Sequence, residues 1–245
     1  MNRLAVVFLC CWVPVLCFGQ AVTVVTENFP PYNFQENGEP KGLSTEVVLA
    51  VLRELDMDID IKFYPWARSY RLASSQKNHL IYSIARIPER EDEFEWIGAI
   101  APYQTSLYRL KKRDDIVVNS LDDAKNYAIG CSKADVITRY LKDQGFSTLD
   151  VVSRDTQNLK RLARARVDLI AYDEASFNYQ VRQQGLDRSQ FERVWRIDDL
   201  SDQLYIAFSK DSDPEMVQKF RQALETIKTA GTVDRIHEKY FSDNR

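Results

Sequence analysis

The sequence predicts an α/β protein built from two lobes, and two observations carry this prediction. Short apolar segments alternate with segments of helical period along most of the 245 residues, an order typical of a largely parallel sheet with helices on its faces. The alternation starts again after a charged break, Lys-Lys-Arg-Asp-Asp, at residues 111–115. Two such units with a charged joint predict two lobes around a cleft.

The first 20 residues are interpreted as a secretory signal peptide. Arg3 is the only charged residue before Glu27, and an almost unbroken apolar run covers residues 4–18. That run is shorter than the ~20 apolar residues of a transmembrane helix, so a retained membrane anchor is the less favoured interpretation. We therefore expect an exported, soluble protein. Cys131 is then the only remaining cysteine, so no internal disulfide is expected.

The elements of the first unit follow from the spacing of its apolar residues. In the helix predicted for residues 45–55, Val47, Val48, Val51 and Leu55 fall on one face. A half-buried strand is predicted before the second helix, because apolar and charged residues alternate there. In chain order the unit is a strand at 22–25, the helix at 45–55, a strand at 59–63, a helix at 66–76 and a strand at 80–84.

The second unit repeats this order, and a further segment follows it. The unit is predicted as a strand at 127–131, a helix at 135–144, a short strand at 151–152, a helix at 156–165 and a strand at 167–172. After a strand at 204–208, Asp213 is predicted to cap a long helix that begins at Pro214. Gly231 ends that helix before a last one at 233–240. Periodicity alone leaves open which lobe holds these last helices.

Composition and charge exclude several classes of function. The formal net charge is −3, and removal of Arg3 with the signal peptide makes it −4. A mildly acidic chain without a basic run argues against nucleic acid as a partner. His79 and His237 are the only histidines and lie far apart in the sequence, so we expect no metal site and no cofactor. No nucleophile motif or phosphate-binding loop is visible, and we expect a protein that is not an enzyme.

Four segments in order carry a resemblance to a known family. They are the opening VTENFPPYNFQENGEPKGLSTEVVLAVLREL, then SIARIPERED with FEWIGAIAPYQTSLYRLKK, then RARVDLIAYDEAS, and the end LYIAFSKDSDPEMVQKFRQALETIKTAGTVDRIHEKYF. Together they resemble the bacterial extracellular solute-binding proteins of family 3, the periplasmic amino-acid receptors of ABC importers. The similarity covers essentially the whole chain after the signal peptide.

The resemblance implies a particular fold and a mode of action. It implies the two-lobe periplasmic-binding-protein fold of type II, with lobe 1 at residues 21–108 and 203–245 and lobe 2 at 112–199. Two crossing segments would form a hinge, and ligand would be captured in the cleft by hinge closure. On this basis the last helices return to lobe 1.

Three polar residues match the family's ligand-binding positions. Arg90, in IPER, matches the arginine that grips the ligand's α-carboxylate, and guanidinium can hold a carboxylate through two parallel hydrogen bonds. Asp173, in AYDEAS, matches the acid that pairs with the α-ammonium. Ser83 matches a serine whose hydroxyl contacts the carboxylate. The alternatives are a rim arginine and an aspartate that only caps a helix.

Aromatic residues are expected to frame the site. The resemblance implies that Phe29 and Tyr32, in NFPPYNF, stack on the ligand, together with one of Tyr64 and Trp66 in FYPWARSYRLA. Packing within lobe 1 is the alternative for each of them, because large aromatic residues mostly serve cores.

Two further residues depart from the family pattern. Arg86 stands where a small or aliphatic residue is usual, and it is expected either to contact an acidic ligand or to remain a solvated loop residue. Asp135, in GCSKAD, stands where the family usually has Gly-Thr-Thr, whose hydroxyl and helix N-terminal N–H groups would meet the carboxylate. An aspartate there would repel that carboxylate or cap the helix itself, which puts a standard α-amino acid in doubt.

The resemblance favours a binding protein over an enzyme. The expected ligand is an amino acid or a related small zwitterion, the expected partner is an ABC permease or a membrane sensor, and we expect a monomer. The alternative is a periplasmic dehydratase of the cyclohexadienyl or arogenate type on the same fold. Such an enzyme would need a general acid in the cleft, for which Glu174 and Asp135 are the positional candidates.

Overall fold

A computed structural model describes residues 21–133, 136–153 and 155–241. The predicted signal peptide therefore lies outside the described residues. Within the part of the chain that is described, no helix combines the length and the apolar character needed to cross a membrane.

Residues up to 103 form the first part of lobe 1. In chain order its elements are β1 (Thr23–Thr26), β2 (Phe34–Glu36), β3 (Glu39–Lys41), α1 (Leu43–Glu54), β4 (Ile61–Phe63), α2 (Trp66–Ser75), β5 (His79–Ala85) and β6 (Phe94–Tyr103). β1 pairs in parallel with both β4 and β5, and β2 and β3 form a separate hairpin. The strand and helix predictions for this unit are confirmed to within a few residues.

Residues 105–196 form lobe 2. Its elements are β7 (Thr105–Leu110), β8 (Ile129–Ser132), α3 (Val136–Asp143), β9 (Leu149–Val152), α4 (Asp155–Ala163), β10 (Leu169–Asp173), α5 (Glu174–Gln183) and β11 (Phe191–Arg196). The strands form one sheet in the order β11-β7-β10-β8-β9. β8 lies parallel to both β9 and β10, whereas β7 runs antiparallel to β10 and β11.

The chain then returns to lobe 1. Strand β12 (Asp202–Ser209) inserts between β5 and β6 and runs antiparallel to both, which completes a sheet of order β4-β1-β5-β12-β6. Helices α6 (Pro214–Thr229) and α7 (Thr232–Phe241) follow and share a core with α1. Asp213 caps α6 as predicted, because its side chain accepts a hydrogen bond from the Glu215 N–H at 2.9 Å.

The predicted boundary at residues 108–112 is wrong for the first crossing between the lobes. β6 ends at Tyr103 in the first sheet and β7 begins at Thr105 in the second, so the chain crosses at Gln104. The second crossing lies between β11 and β12, at residues 197–201. β6 and β7 form an almost continuous extended run, and the charged break at 111–115 comes only after it.

Each lobe buries apolar residues on both faces of its sheet. In lobe 1, one face packs against α1, α6 and α7, where Val47, Val51 and Phe220 are fully buried, and the other face packs against α2. In lobe 2, the two faces carry separate clusters that contain Leu141 and Phe177. Each lobe therefore has its own core, as movement about a hinge requires.

The aromatic loop that precedes β2 is fixed against the start of α1. The N–H groups of Leu43 and Ser44 donate to the carbonyls of Pro31 and Tyr32, at 3.0 and 2.9 Å, so loop carbonyls satisfy the first donors of the helix. Gly42 allows this close approach: its φ is +113°, and a Cβ there would lie 2.4 Å from the Tyr32 carbonyl oxygen. The loop is thereby held rigidly at the edge of lobe 1.

Candidate ligand-binding cleft

A cavity of about 900 Å³ lies between the two lobes. From lobe 1 it is lined by the aromatic loop, the start of α2, the end of β5 and Arg90. From lobe 2 it is lined by the carboxyl ends of β8 and β10, by α5 and by the loop after β9. A cavity of this size and composition, mostly apolar with a few converging polar groups, is typical of small-molecule sites.

Arg90 lies in a short 3₁₀ turn, Pro88–Glu93, directly after β5. Its Nη1 donates to the Ala85 carbonyl at 3.1 Å, and its guanidinium lies 5.4 and 5.2 Å from the ring centroids of Trp66 and Tyr70. Burial lowers the pKa of this guanidinium. No described carboxylate forms an ion pair with it. Arg90 is thus a half-buried cation that faces the cleft with most of its donors unused, as a carboxylate-binding group requires.

Ser83 reaches the cleft through an irregularity in β5. Its φ is +59°, which is unusual for a residue other than glycine, and the pairing register with β12 shifts at this point, between Tyr205 and Ile206. The side chain lines the cavity, is only 6 % exposed, and its Oγ has no hydrogen-bond partner. A buried hydroxyl without a partner is costly, and a polar ligand in the cleft would supply one.

The first turn of α2 borders the cleft beside Arg90. The helix begins at Trp66, and Trp66 and Ala67 line the cavity. No side chain caps this helix and its first turn holds no acidic residue. Its unsatisfied N–H groups and positive dipole end therefore add to the preference for an anion on this side of the cleft.

Asp173 lies on the opposite wall, at the end of β10. It caps α5, because its Oδ1 accepts from the Ser176 N–H at 2.7 Å, and its Oδ2 accepts from the Gln104 N–H at 3.3 Å and from the Tyr32 hydroxyl at 3.0 Å. It is 2 % exposed, and burial raises its pKa to about 6 despite these hydrogen bonds. The carboxylate lines the cavity, where a ligand cation can approach it.

The aromatic residues divide into two groups. Phe29, Tyr64 and Trp66 line the cavity. The Arg68 guanidinium lies over the Tyr64 ring, 4.0 Å from the ring centroid. Tyr32 does not line it, which corrects the expectation that its ring stacks on the ligand. The Tyr32 side chain is 1 % exposed, packs against Phe29 and belongs to the core of lobe 1.

The Tyr32 hydroxyl instead links the lobes near the hinge. It donates either to the Pro102 carbonyl, at 2.9 Å, or to Asp173 Oδ2 of lobe 2. Burial, followed by the neighbouring charge of Asp173, raises the Tyr32 pKa well above its usual value. The Ser176 hydroxyl adds a second link, since it donates to the Pro30 carbonyl at 2.9 Å. Tyr32 therefore positions the Asp173 carboxylate.

The structure also corrects the expectation for Arg86, which does not line the cleft. Its side chain is 41 % exposed, forms a bidentate ion pair with Glu91 and lies near the rings of Trp96 and Tyr205. The turn between Arg86 and Arg90 directs the two side chains to different surfaces. Asp135 lies outside the described residues.

Glu174 is poorly suited to act as a general acid. Burial alone would raise its pKa, but hydrogen bonds from Ser106, Arg193 and Arg196 outweigh this and lower it. Those three partners lie 2.6–3.2 Å from its Oε1, and Glu174 does not line the cavity. Among the described residues, no group of three or more His, Cys, Asp or Glu side chains could hold a metal ion.

Several polar residues of lobe 2 that line the cleft were missed by the sequence analysis. They are Ser132, Lys133, Ser153, Thr156 and Gln180. The signal that could have found the first three is their position: they end or follow the parallel strands β8 and β9. Carboxyl ends of parallel strands meet at one edge of a sheet, where ligands of open α/β sheets bind.

The fold and the cleft define the class of two-lobed periplasmic binding proteins, in which two α/β lobes joined by two crossing segments enclose a ligand site. The family model described as bacterial extracellular solute-binding proteins, family 3, matches residues 22–243. The chain belongs to this family.

Named relatives and solved structures agree with this assignment. The chain is 23 % identical over 219 residues to the probable amino-acid-binding protein YxeM of Bacillus subtilis. The aligned region covers 87 % of this chain and 81 % of the relative. It is 24 % identical over 230 residues to the L-cystine-binding protein TcyA of the same organism, covering 91 % and 82 %. A histidine kinase sensor domain with similarity to periplasmic binding proteins has the same fold, with a TM-score of 0.80 at 18 % identity, covering 89 % and 95 %.

Proposed function

We propose that this protein is a periplasmic receptor that captures an amino acid between its lobes and delivers it to an ABC importer. One observation carries the proposal: Arg90 and Ser83 of lobe 1 line the same cavity as Asp173 of lobe 2. A carboxylate on Arg90 and an ammonium on Asp173 would join the lobes through the two ends of one zwitterion. Such a ligand favours the closed arrangement because only that arrangement satisfies both ends.

The relatives support an amino acid as the ligand. One is named as a probable amino-acid-binding protein and another as an L-cystine-binding protein, and both align over most of their length. We propose in addition that residues 1–20 direct export, that the receptor is a monomer and that it does not act on nucleic acid.

A sensor is the second candidate, because a histidine kinase sensor domain shares the fold at a TM-score of 0.80. In that case the closed receptor would signal to a membrane partner, and the ligand chemistry would be the same. A dehydratase is disfavoured, since Glu174 is held in ion pairs outside the cavity.

The test is a thermal-shift screen of the purified protein against the amino acids, small dicarboxylates, polyamines and prephenate. A ligand present at 100 times its Kd adds about 2.7 kcal/mol to the free energy of unfolding, and we expect at least one α-amino acid to do so. If every amino acid leaves the melting temperature unchanged, the receptor proposal is wrong, and a response to prephenate would restore the dehydratase.

Amino-acid affinity is expected to fall as pH falls through about 6. Protonation of Asp173, whose pKa is raised to about 6, would remove the negative partner of the ligand ammonium. Proton linkage then predicts about tenfold weaker binding at pH 5 than at pH 7.5. Calorimetric titrations across this range would measure the change, and a flat profile would contradict the role of Asp173.

Protonation of Asp173 is not expected to destabilise the fold. The pKa of the carboxyl is higher in the folded protein than in the unfolded chain, so the folded state binds the proton more readily. Protonation of this group therefore stabilises the fold as pH falls. The melting temperature without ligand, measured in the same buffers, separates a loss of affinity from a loss of structure.

A further inference from the structure

We infer that the ligand carries two anionic groups, as an acidic amino acid does, and that Lys133 binds the second of them. The inference rests on the proposed function and names the substrate class of the same cleft. Lys133 lies on the lobe 2 wall, directly after β8, and its side chain is exposed to the cavity.

The charged groups that line the cavity differ in how they are satisfied. Asp173 accepts hydrogen bonds from the Ser176 and Gln104 N–H groups and lies 3.0 Å from the Tyr32 hydroxyl, and Glu27 already interacts with another group of the protein. The two cations have no such compensation: among the described residues, neither Arg90 nor Lys133 forms an ion pair with a carboxylate. Within the described part of the cleft, the two cations without a carboxylate partner therefore favour two anionic groups, one at each wall.

The surroundings of Lys133 suit an anion. Ser153 and Thr156 line the same wall, and their hydroxyl groups can donate to a carboxylate alongside the ammonium. The main chain is anchored at this point, since the Lys133 N–H donates to the Val152 carbonyl at 2.8 Å. The start of the side chain is thus fixed by the sheet, while the side chain itself is exposed at the cavity.

Closure of the lobes around Lys133 is expected to select ligands that have a side-chain carboxylate. A cation that is enclosed without a partner loses its hydration, and that cost falls on any ligand whose side chain is neutral. A side-chain carboxylate removes the cost by pairing with Lys133. Glutamate and glutamine have nearly the same shape but differ in the negative charge of the side chain, and so do aspartate and asparagine. A comparison within each pair therefore measures the contribution of that charge to affinity.

The experiment measures the Kd of the purified protein for these two acid–amide pairs. We expect the better acid to bind at least about tenfold more tightly than its amide, which corresponds to ~1.4 kcal/mol. Lys133→Met should reduce this ratio to near one, mainly by weakening binding of the acid. Lys133→Arg should keep most of it, because the charge is retained. Lys112→Met removes an exposed lysine elsewhere in lobe 2 and should leave the ratio unchanged.

The outcomes separate this inference from the proposed function. If an amino acid binds but acid and amide bind equally, or if Lys133→Met leaves the ratio unchanged, the inference fails and the receptor proposal stands. If succinate or another dicarboxylate binds and no amino acid does, two anionic groups are supported and the amino-acid receptor is overturned. If none of these compounds binds, both fail.

Discussion

Replacement of Arg90 by alanine is expected to weaken amino-acid binding by ~2–5 kcal/mol, the usual cost of removing one partner of a buried charge pair. This corresponds to an increase in Kd of about 30- to 5,000-fold. The guanidinium is half-buried, lies beside the uncapped start of α2 and lines the same cavity as the unpartnered Ser83 hydroxyl. No other described cation of lobe 1 lines the cavity, so no neighbour can replace it. Isothermal titration with the ligand found by screening would measure the loss.

Arg86→Ala is the matched control for this variant. Arg86 has the same chemistry four residues earlier, but it pairs with Glu91 outside the cleft, so we expect a change in affinity of less than threefold. Arg90 also lies against Trp66 and Tyr70, and the melting temperature without ligand must therefore be compared for both variants. Equal affinities of the parent and a folded Arg90→Ala protein would remove the central claim of the proposal.

Replacement of Asp173 by asparagine is expected to lower affinity by a similar ~2–5 kcal/mol, because the ligand ammonium would lose the buried counter-charge that Asp173 supplies. Asparagine is used here because it caps helices about as well as aspartate. Its side-chain oxygen can still accept the Ser176 N–H that opens α5. The variant thus removes the charge while preserving the fold, and titration with the same ligand gives the effect.

Asp213→Asn provides the corresponding control, since Asp213 caps α6 in the same way and lies far from the cavity. It should leave affinity unchanged. The Asp173→Asn protein should also lose the pH dependence expected around pH 6. If it binds as tightly as the parent, Asp173 serves only to cap α5 and to hold Tyr32, and the zwitterion clamp is wrong.

The fold could be predicted from sequence wherever one pattern dominates a segment. The apolar spacing of α1 and the Asp-Pro start of α6 are local signals, and both elements were found. The hinge could not be placed, because the change of sheet at Gln104 depends on which strands β6 and β7 pair with. That pairing joins residues distant in sequence, such as Thr105 and Asp173. Helix α5 was missed because it begins directly after β10 without a turn.

In the site, too, local motifs could be recognised from the sequence, whereas features that depend on tertiary packing could not. Arg90, Ser83 and Asp173, which were named from their motif positions, all line the same cavity. The sequence favoured Arg90 but left open whether Arg86 also contacts the ligand, because a 3₁₀ turn decides which side chain faces the cleft. It also could not tell that Tyr32 is buried, because this depends on the packing of its loop against α1.

The left-handed backbone of Ser83 has a consequence for attempts to make this protein more heat-resistant. At a φ of +59°, glycine would relieve ~1–2 kcal/mol of backbone strain, so a design procedure guided by thermostability alone would choose it. That choice would delete the buried hydroxyl that lines the cleft. If Ser83 contacts the ligand as we propose, stability and recognition compete for this position, because the hydroxyl is kept there together with a strained backbone.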